Sequence, residues 1–586
     1  MRGETFRFWA PVAVLSVFAA VVSQKMVRAH VDPEVGLLTY SGTRIIPGIR
    51  GAIYDSCESQ RHLLARSTPV WEYHLDPVAL TNAVVKRKGD PPRPRNAILK
   101  TISKALSIDF ARLEKMADDS ARRYQFLARS TDSKAHETLS NSSLVKGVAI
   151  ETRRVRRYPQ GRLLSHVIGS VNANADGSAG IEQKYNSALC GVDGHVTYMK
   201  DALGRELYDR PPLERSEAIP GCDVYLTVDS NIQSETEKAL DEGIAEFGAG
   251  SGWAIVMDSR TGAILAMASR PDFDPLGFGK APDSAKLNRA CSFVYEPGSV
   301  MKTITVAAAL DAGRARPETK YRTNRDDPDY YKLPGDGTHA WPERMTVTDA
   351  LVHSSNIVIG KLGWDIGREL LHGYMKKFGF GAKTGIELPG EETGILPDWR
   401  KWDKASWSRA PIGQYVAVTA LQLAGAYQAI ANDGVRMRPY IVERIVDGYG
   451  SEKYRHEPME LGRPIKASTA RTLRGMMTGV ATPDGTARRA AVKGYTIAGK
   501  TGTAQKSAGR AGYIPGLYRA TFCGIVPASE PRLVILVTLD FDERRKFHQG
   551  GNSSAPVFRK IAEKTLKYLM IPPDKPDELL EEPGWE

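Results

Sequence analysis

The feature that most constrains this chain is a serine followed three residues later by a lysine, at the start of an apolar helical run. Residues 299–302 read Ser-Val-Met-Lys, and the helix-like run Thr303 to Ala312 follows them. Residues i and i+3 share one face of a helix, so we expect the Lys302 amine to reach the Ser299 hydroxyl and take its proton. The run is apolar nearly all round, which predicts burial, and burial lowers the pKa of a lysine toward that of a usable base.

A second polar motif follows at Ser354-Ser355-Asn356. The Ser354 hydroxyl is suited to relay a proton, and the Asn356 amide, which both donates and accepts, is suited to hold a substrate backbone amide. A cap at the start of a helix explains Ser-Ser-Asn equally well, so this motif decides nothing by itself.

The third motif is Lys500-Thr501-Gly502-Thr503, after the strand-like residues 495–497. Lys500 and the threonine hydroxyls are expected to grip a substrate carboxylate, and Gly502 is expected to let a substrate backbone approach the strand edge. The three motifs together predict that a buried amine activates one hydroxyl facing an anion-binding strand. The site they predict uses neither a metal nor a cofactor.

Two of these patterns also occur elsewhere in the chain. Residues 143–146 repeat Ser-x-x-Lys before a strand-like segment without partner motifs, and residues 383–385 repeat Lys-Thr-Gly between glycines and a Pro-Gly pair. We interpret the first as a chance match and the second as a turn.

Residues 494–501 fit the phosphate-binding pattern G-x-x-x-x-G-K-[ST], which makes a nucleotide hydrolase the alternative from another class. A phosphate loop follows a buried strand and opens a helix, whereas Gly509, Gly512 and Pro515 would break a helix here. This context argues against nucleotide binding.

The composition excludes several classes of protein. With 586 residues, 42% of them hydrophobic and 25% charged, the chain is expected to form two or more globular domains rather than a disordered or multi-span membrane protein. The net charge of +12 favours an anionic partner without choosing between nucleic acid, lipid and glycan. Five scattered cysteines without a C-x-x-C pair argue against a zinc site and a disulfide framework.

The amino terminus contains an uncharged, mostly apolar run from Phe8 to Val22. This run is shorter than the roughly 20 residues of a typical transmembrane helix and matches the upper end of a signal-peptide core, so the residues leave both interpretations open. Either one predicts export of the rest of the chain.

Beyond the amino terminus the pattern changes near residue 220. Residues 28–220 are rich in arginine, proline and turn residues, with helical stretches such as Ile98 to Met116. From there to residue 570, strand-like and helix-like segments alternate, beginning with a hairpin over residues 253–268, which predicts an α/β or α+β domain around a largely antiparallel sheet. Residues 571–586 are acidic and proline-rich, which predicts a flexible tail.

The three motifs, in this order, resemble those of the class B penicillin-binding proteins. The similarity extends over nearly the whole chain. The further matching segments are residues 50–55, 157–159, 166–169, 180–182, 296–298, 413–414, 550–551 and 555–556, together with Thr419 and Gln422.

The resemblance implies a domain order and a location. Residues 1–27 would be a cytoplasmic stub and an uncleaved transmembrane anchor, and residues 28–220 a non-catalytic pedestal (dimerisation) domain. Residues 221–570 would be a transpeptidase domain of the penicillin-binding and serine β-lactamase fold, on the periplasmic or extracytoplasmic side of the cell membrane.

The resemblance also implies a reaction, the cross-linking of peptidoglycan by a D,D-transpeptidase. Ser299 would attack the D-Ala-D-Ala bond of a donor stem peptide, D-Ala would leave, and an amine of a neighbouring stem would resolve the acyl-enzyme. The backbone N–H groups of Ser299 and Thr503 would form the oxyanion hole. The implied catalytic residues are Ser299, Lys302, Ser354, Asn356 and Lys500, and the implied substrate-binding residues are Thr501, Gly502 and Thr503.

Within this family, Asn356 and the segment Lys200 to Arg205 resemble the division-specific (septal) branch, with an elongation-specific enzyme as the alternative. A β-lactam-hydrolysing or β-lactam-sensing acylase of the same fold is a further alternative, although no Glu-x-x-Leu-Asn segment lies between Ser354 and Lys500. By analogy the partners are peptidoglycan stem peptides, β-lactam antibiotics, a polytopic glycosyltransferase and divisome proteins.

Overall fold

The computed structural model describes residues 19–24, 41–56, 61–83, 95–122, 124–140, 147–200, 207, 211–331, 333, 335–336, 341–507, 512–543 and 549–580. The chain divides into two compact units, one comprising residues 1–51, 187–222 and 447–451, the other residues 52–186, 223–446 and 452–586. The boundary at residue 220 between a pedestal and a catalytic domain stays a prediction.

The secondary structure of the described residues is mixed. The strands are β1 (Ser41–Ile46), β2 (Ile53–Tyr54), β3 (Leu63–Leu75), β4 (Gln125–Ser130), β5 (Val148–Arg157), β6 (Ser170–Val171), β7 (Gly177–Ala179), β8 (Gly194–Met199), β9 (Glu214–Ser216), β10 (Asp223–Leu226), β11 (Ser251–Asp258), β12 (Ile264–Arg270), β13 (Lys320–Arg322), β14 (Arg344–Thr346), β15 (Arg436–Met437), β16 (Val442–Val446), β17 (Glu452–Arg455), β18 (Glu460–Gly462), β19 (Ala498–Ser507), β20 (Tyr513–Val526) and β21 (Leu533–Asp540). The α-helices are Pro77–Ala83, Arg95–Leu106, Phe110–Asp118, Ser133–Ser140, Ser165–Ile168, Gly180–Lys184, Asn186–Leu189, Ser230–Phe247, Asp283–Lys286, Arg289–Ser292, Lys302–Asp311, Val347–Val352, Asn356–Ile366, Arg368–Lys377, Lys404–Arg409, Ala420–Ala431, Ala467–Thr478, Ser554–Tyr568 and Asp577–Leu580.

The smaller unit contains an antiparallel sheet in the order β1-β8-β9. β1 pairs with β8 from Ser41 opposite Met199 to Ile46 opposite Gly194, and β9 pairs with the other edge of β8.

The larger unit is organised around a five-stranded antiparallel sheet in the order β12-β11-β21-β20-β19. The predicted hairpin is confirmed, since β11 pairs with β12 from Gly252 opposite Arg270 to Met257 opposite Ile264. Every residue of the central strand β21 is buried, as expected for a strand covered on both faces. The predicted antiparallel sheet with flanking helices is therefore confirmed.

Helices cover both faces of this sheet. Alternate residues of β21, such as Ile535 and Val537, point into an apolar cluster formed with the helices Ser230–Phe247 and Ser554–Tyr568. The other side is covered by the helix Ala420–Ala431, which is buried along its whole length. Thr419 and Gln422 fix the start of that helix through reciprocal capping hydrogen bonds.

A second sheet of the larger unit has the order β17-β16-β10-β2-β3-β4, with β5 paired to β3. Near it, the helix predicted from Ile98 to Met116 is in fact two helices, Arg95–Leu106 and Phe110–Asp118. Ser107 adopts a left-handed φ of 53°, and the Asp109 carboxylate accepts from the backbone N–H at position 112 at 2.9 Å, which starts a new helix. The sequence correctly predicted helical structure over these residues, but its periodicity did not reveal the break between the two helices.

The amino-terminal segment is described only in part. Residues 19–24 are helical, and no helix within the described ranges combines the length and apolarity needed to cross a membrane. The rest of the expected anchor, residues 1–18 and 25–27, lies outside the described residues, as do residues 143–146 and 201–205.

The carboxy-terminal segment corrects a prediction. Residues 571–580, the described part of the expected flexible tail, instead belong to the larger unit and form hydrogen bonds with the rest of it. Asp574 accepts hydrogen bonds from the Thr496 backbone N–H at 2.8 Å and from the Ser529 hydroxyl at 2.5 Å, and Tyr495 donates to the Ile571 carbonyl at 2.6 Å. The acidic character that suggested a solvated tail supplies hydrogen-bond acceptors for this contact.

The edge strand β19 lies against the 3₁₀ turn Gly298–Met301, which carries Ser299. A Cβ atom at Gly502 would lie 3.1 Å from the Pro297 carbonyl oxygen and 3.1 Å from Val300 Cγ1. A side chain at Gly502 would therefore meet the serine-bearing turn, and the prediction that this glycine lets a substrate backbone approach the strand edge stays a prediction.

This contact predicts the effect of adding a methyl group at Gly502. We expect Gly502→Ala to lower the free energy of unfolding by about 1–3 kcal/mol, because the turn and the strand must separate to admit the side chain. Denaturant unfolding of the purified protein measures the change. Gly475→Ala is the matched control: Gly475 lies within the helix Ala467–Thr478 with open space around its Cβ position, so this substitution should be neutral or stabilising. Equal stability of the two variants would contradict the assignment.

Candidate active site

A pocket of about 370 Å³ opens beside the edge strand β19. Of the eight predicted site residues, the five that line it are Ser299, Ser354, Asn356, Thr501 and Thr503. The other three, Lys302, Lys500 and Gly502, are buried beneath its surface. The fold thus brings together three motifs that are far apart in the chain.

Ser299 is half-buried in the 3₁₀ turn that precedes the helix Lys302–Asp311. Gly298 holds this turn with a left-handed φ of 59° and donates its N–H to the Gly413 carbonyl at 3.1 Å. A Cβ atom at Gly298 would lie 3.1 Å from the Thr503 carbonyl oxygen. The serine is therefore clamped between β19 and the Gly413 loop on a rigid element.

The Lys302 side chain is fully buried, as predicted. Its amine donates to the Ser354 carbonyl at 2.5 Å and to the Ser354 hydroxyl at 3.1 Å. Burial lowers the pKa of Lys302 to about 7, and the negative charge of Asp336 opposes this shift. In the part of the chain that the structure describes, no hydrogen bond joins Lys302 to Ser299, and the amine binds the second motif instead of the serine.

The predicted helix cap in Ser354-Ser355-Asn356 is confirmed, while the proton-relay and substrate-binding roles stay predictions. Ser355 caps the helix Asn356–Ile366 by accepting from the Val358 N–H at 3.2 Å. Ser354 precedes the cap in a left-handed conformation with a φ of 64°, which turns its carbonyl and hydroxyl toward Lys302. The Asn356 amide donates to the Gly335 carbonyl at 2.8 Å.

Asp336 is a structural centre of the site that the sequence did not reveal. Its carboxylate accepts from the Ser355 hydroxyl at 2.6 Å, from the Asn356 backbone N–H, and from the Trp341 indole at 2.8 Å. These bonds fasten the Gly335–Asp336 segment over the second motif as one wall of the pocket. Asp336 lies about twenty residues before Ser355 and Asn356 in the chain, and the sequence between them shows no helical or strand periodicity. The sequence spacing therefore gives no indication of these hydrogen bonds.

Lys500 lies beneath the pocket rather than in it. Its amine donates to the Thr501 carbonyl at 3.3 Å, and burial together with the nearby Lys302 charge holds its pKa well below the usual range. Thr501 faces the pocket and donates to the Thr486 hydroxyl at 3.1 Å, a partner that the motifs did not predict. The predicted direct grip of Lys500 on a carboxylate stays a prediction, while the threonine side chains occupy the surface that a ligand would touch.

Two of the alternative sequence patterns, at residues 494–501 and 383–385, belong to the framework of the fold. Lys500 stands within β19 and not at the start of a helix, so residues 494–501 are not a phosphate-binding loop. At the second Lys-Thr-Gly sequence, Gly385 has a φ of 85° and the Thr384 hydroxyl binds the Glu391 carboxylate at 2.6 Å, so this segment is an irregular loop held by structural hydrogen bonds.

Comparison with known proteins agrees with this geometry. Residues 252–563, more than half of the chain, match the penicillin-binding protein transpeptidase domain, and residues 45–226 match the penicillin-binding protein dimerisation domain. Penicillin-binding protein PbpB of Mycolicibacterium smegmatis is 32% identical over 98% of this chain and 92% of its own length. The peptidoglycan D,D-transpeptidase FtsI of Escherichia coli is 30% identical over 87% of this chain and 82% of its own length.

A solved structure shows the same relationship. Penicillin-binding protein 3 from Mycobacterium tuberculosis, complexed with aztreonam, aligns with a TM-score of 0.67 and 29% identity over 91% of this chain and 99% of that one. With its two matched domains and its three motifs gathered at one pocket, the chain belongs to the class B penicillin-binding proteins, the family of serine-type peptidoglycan transpeptidases.

Proposed function

We propose that this protein cross-links peptidoglycan stem peptides through an acyl-enzyme on Ser299, and that it does so during septal cell-wall synthesis. The observation that carries the proposal is the buried Lys302 amine with a pKa near 7, bound to Ser354 directly beneath a pocket that also contains Ser299. A lysine that is partly neutral at physiological pH is a competent base, whereas an exposed lysine is not.

In the acylation step, the Ser299 oxygen forms a bond to the carbonyl carbon of the penultimate D-Ala while Lys302 takes the serine proton. The C–N bond to the terminal D-Ala then breaks, and its amine receives a proton through the Ser354 hydroxyl, which lies 3.1 Å from the Lys302 amine. The products are D-Ala and a Ser299 ester, and Lys302 is neutral again.

The substrate is held by groups along β19. We assign the terminal carboxylate of the donor to the Thr501 and Thr503 hydroxyls, and the developing oxyanion to the backbone N–H groups of Ser299 and Thr503. β19 is the last strand in the order of its sheet, so an extended peptide can add to its edge. Asn356 is placed at the pocket wall to bind a backbone amide of that peptide.

In the second step, an amine of a neighbouring stem attacks the ester carbonyl. The attacking amine gives a proton to the neutral Lys302 amine as the new amide bond forms, and the Ser299 oxygen leaves and takes that proton from Lys302. Transfer to water instead of an amine would give a carboxypeptidase reaction from the same intermediate.

The cellular setting is also part of the proposal. Residues 1–27 would anchor the protein in the cell membrane with the catalytic domain outside the cytoplasm, where the substrate lies. Asn356 and the names FtsI and PbpB among the relatives support a septal role in which divisome proteins and a polytopic glycosyltransferase are the partners.

The assignment of the nucleophile predicts a specific loss of labelling. A fluorescent penicillin should form a single covalent adduct with the wild type and none with Ser299→Ala, because we assign the nucleophile to the Ser299 hydroxyl and the proton relay to Ser354, whose hydroxyl is bound to Lys302. Gel fluorescence and intact-protein mass spectrometry measure the adduct. Ser292→Ala is the control and should label like the wild type, and an adduct on the Ser299→Ala protein would exclude Ser299 as the nucleophile.

The depressed pKa of Lys302 predicts the pH dependence of acylation. The active base is the neutral amine, whose fraction rises with pH through about 7, so the rate should increase about tenfold from pH 6 to pH 8 and then level off. Stopped-flow measurement of penicillin acylation gives this profile, with Ser299→Ala as the blank. A rate that is flat or falls over this range would contradict Lys302 as the base.

The septal assignment predicts a shape change in cells. Depletion of the protein should block constriction while side-wall growth continues, and therefore give filaments. Phase-contrast microscopy after promoter shut-off records the outcome. Rounded cells would instead indicate the elongation-specific role.

A further inference from the structure

A second pocket adjoins the active-site pocket in the same unit. It has a volume of about 590 Å³ and shares the wall formed by Gly335, Asp336 and Trp341 with the first. Beyond that wall, its charged lining residues are Arg322, Arg325 and Glu343. We call this space the side pocket.

The loop that forms the side pocket is held by a buried lysine. Lys361 is 1% exposed, and its amine binds the Asp327 carboxylate at 2.6 Å, the Arg322 carbonyl at 3.0 Å and the Asn324 side-chain oxygen at 3.1 Å. The Arg325 guanidinium adds a bond from Nε to the Leu333 carbonyl at 3.0 Å. The two arginines are therefore presented on a fixed frame, which reduces the entropy lost when a ligand binds.

The charges of the side pocket favour an anion. Over the residues that the structure describes, neither guanidinium forms an ion pair with a carboxylate, although both are exposed to the pocket. The Asp327 carboxylate is already bound to Lys361, and the Asp336 carboxylate is already bound to the Ser355 hydroxyl. Glu343 is the remaining acid of the lining, so the side pocket has two guanidinium groups without an ion pair, one of them bound through Nε to the Leu333 carbonyl, for one such carboxylate.

The shared wall connects the side pocket to the reaction. The carbonyl of Gly335 accepts from the Asn356 amide, and Asp336 accepts from Ser355 and from the backbone of Asn356. A peptide with one group in the side pocket therefore lies across the wall from Ser299.

We propose that the side pocket is a subsite for a carboxylate of a peptidoglycan stem peptide, bound by Arg322 and Arg325. Stem peptides carry free carboxylates besides the one at the D-Ala terminus, and guanidinium groups bind carboxylates in bidentate geometry. The inference rests on the proposed function and adds a specificity determinant to it. Donor and acceptor stems share this chemistry, and the experiment distinguishes them.

The test uses the full-length protein with Arg322→Gln and Arg325→Gln combined. D-Ala release from a synthetic donor stem peptide measures acylation, and transfer to an acceptor stem lacking D-Ala-D-Ala measures cross-linking. Each peptide is supplied with its internal carboxylates free or converted to carboxamides, and rates are expressed relative to penicillin acylation of the same protein. Loss of the arginines should slow the reaction of the free-carboxylate peptide about five- to tenfold and leave the carboxamide peptide unaffected.

Arg344→Gln is the matched control. Arg344 lies opposite Arg322 in the β13–β14 pair and is also exposed, but it does not line the side pocket, so its removal should leave all rates unchanged. A loss confined to D-Ala release would assign the subsite to the donor, and a loss confined to transfer would assign it to the acceptor. Equal effects of the double variant on free and carboxamide peptides, in both arms, would overturn the proposal.

Direct binding separates this inference from the proposed function. If the wild type released no D-Ala, the transpeptidase proposal would fail, and calorimetric titration of the Ser299→Ala protein with the donor peptide and with the acceptor peptide would still test the subsite. For at least one of the two peptides, the free-carboxylate form should bind at least about fivefold more tightly than the carboxamide form, and the arginine variant should remove that difference. Equal affinities of the two forms for both peptides would overturn the subsite.

Discussion

The site depends on the burial of one amine. Lys302 is fully enclosed by apolar side chains of its helix and its neighbours, and an amine removed from water must find a polar acceptor or lose its charge. Ser354 provides that acceptor twice, with its carbonyl and its hydroxyl, but only because it adopts a left-handed conformation that costs a non-glycine residue about 1–3 kcal/mol. The cap at Ser355 and the carboxylate of Asp336 hold the chain there.

The helix Asn356–Ile366 connects this arrangement to the neighbouring side pocket. Its first residue, Asn356, binds the wall of the active-site pocket, and Lys361, further along, holds the loop that carries the two arginines. Lys361 is as deeply buried as Lys302 but forms an ion pair with the Asp327 carboxylate, whereas Lys302 is bound to the neutral Ser354 and is the base in the proposed mechanism. The difference between the two lysines lies in their partners and not in their depth.

The sequence predicted those parts of the fold and the site that are formed by residues close together in the chain. The serine and lysine on one helical turn, the strand at Lys500 to Thr503 and the hairpin at 253–268 all follow from patterns within a few residues. The role of Asp336 and the close contact of Gly502 with the serine-bearing turn depend on segments that meet only after folding, so the sequence could not show them. The same limit explains the helix break at Ser107, which rests on one backbone angle and one cap.

The two buried amines also determine how long a proton can stay in the site. In the proposed acylation, Lys302 would become a buried cation on accepting the serine proton, close enough to Lys500 for their charges to disfavour each other. Asp336 offsets part of this cost, but its carboxylate is already shared among three donors in the wall. In the proposed mechanism these costs favour onward transfer of the proton, for which the Ser354 hydroxyl lies 3.1 Å from the amine. Burial thus keeps part of the Lys302 population neutral near pH 7, and so able to accept a proton, while it weakens the hold of the amine on that proton.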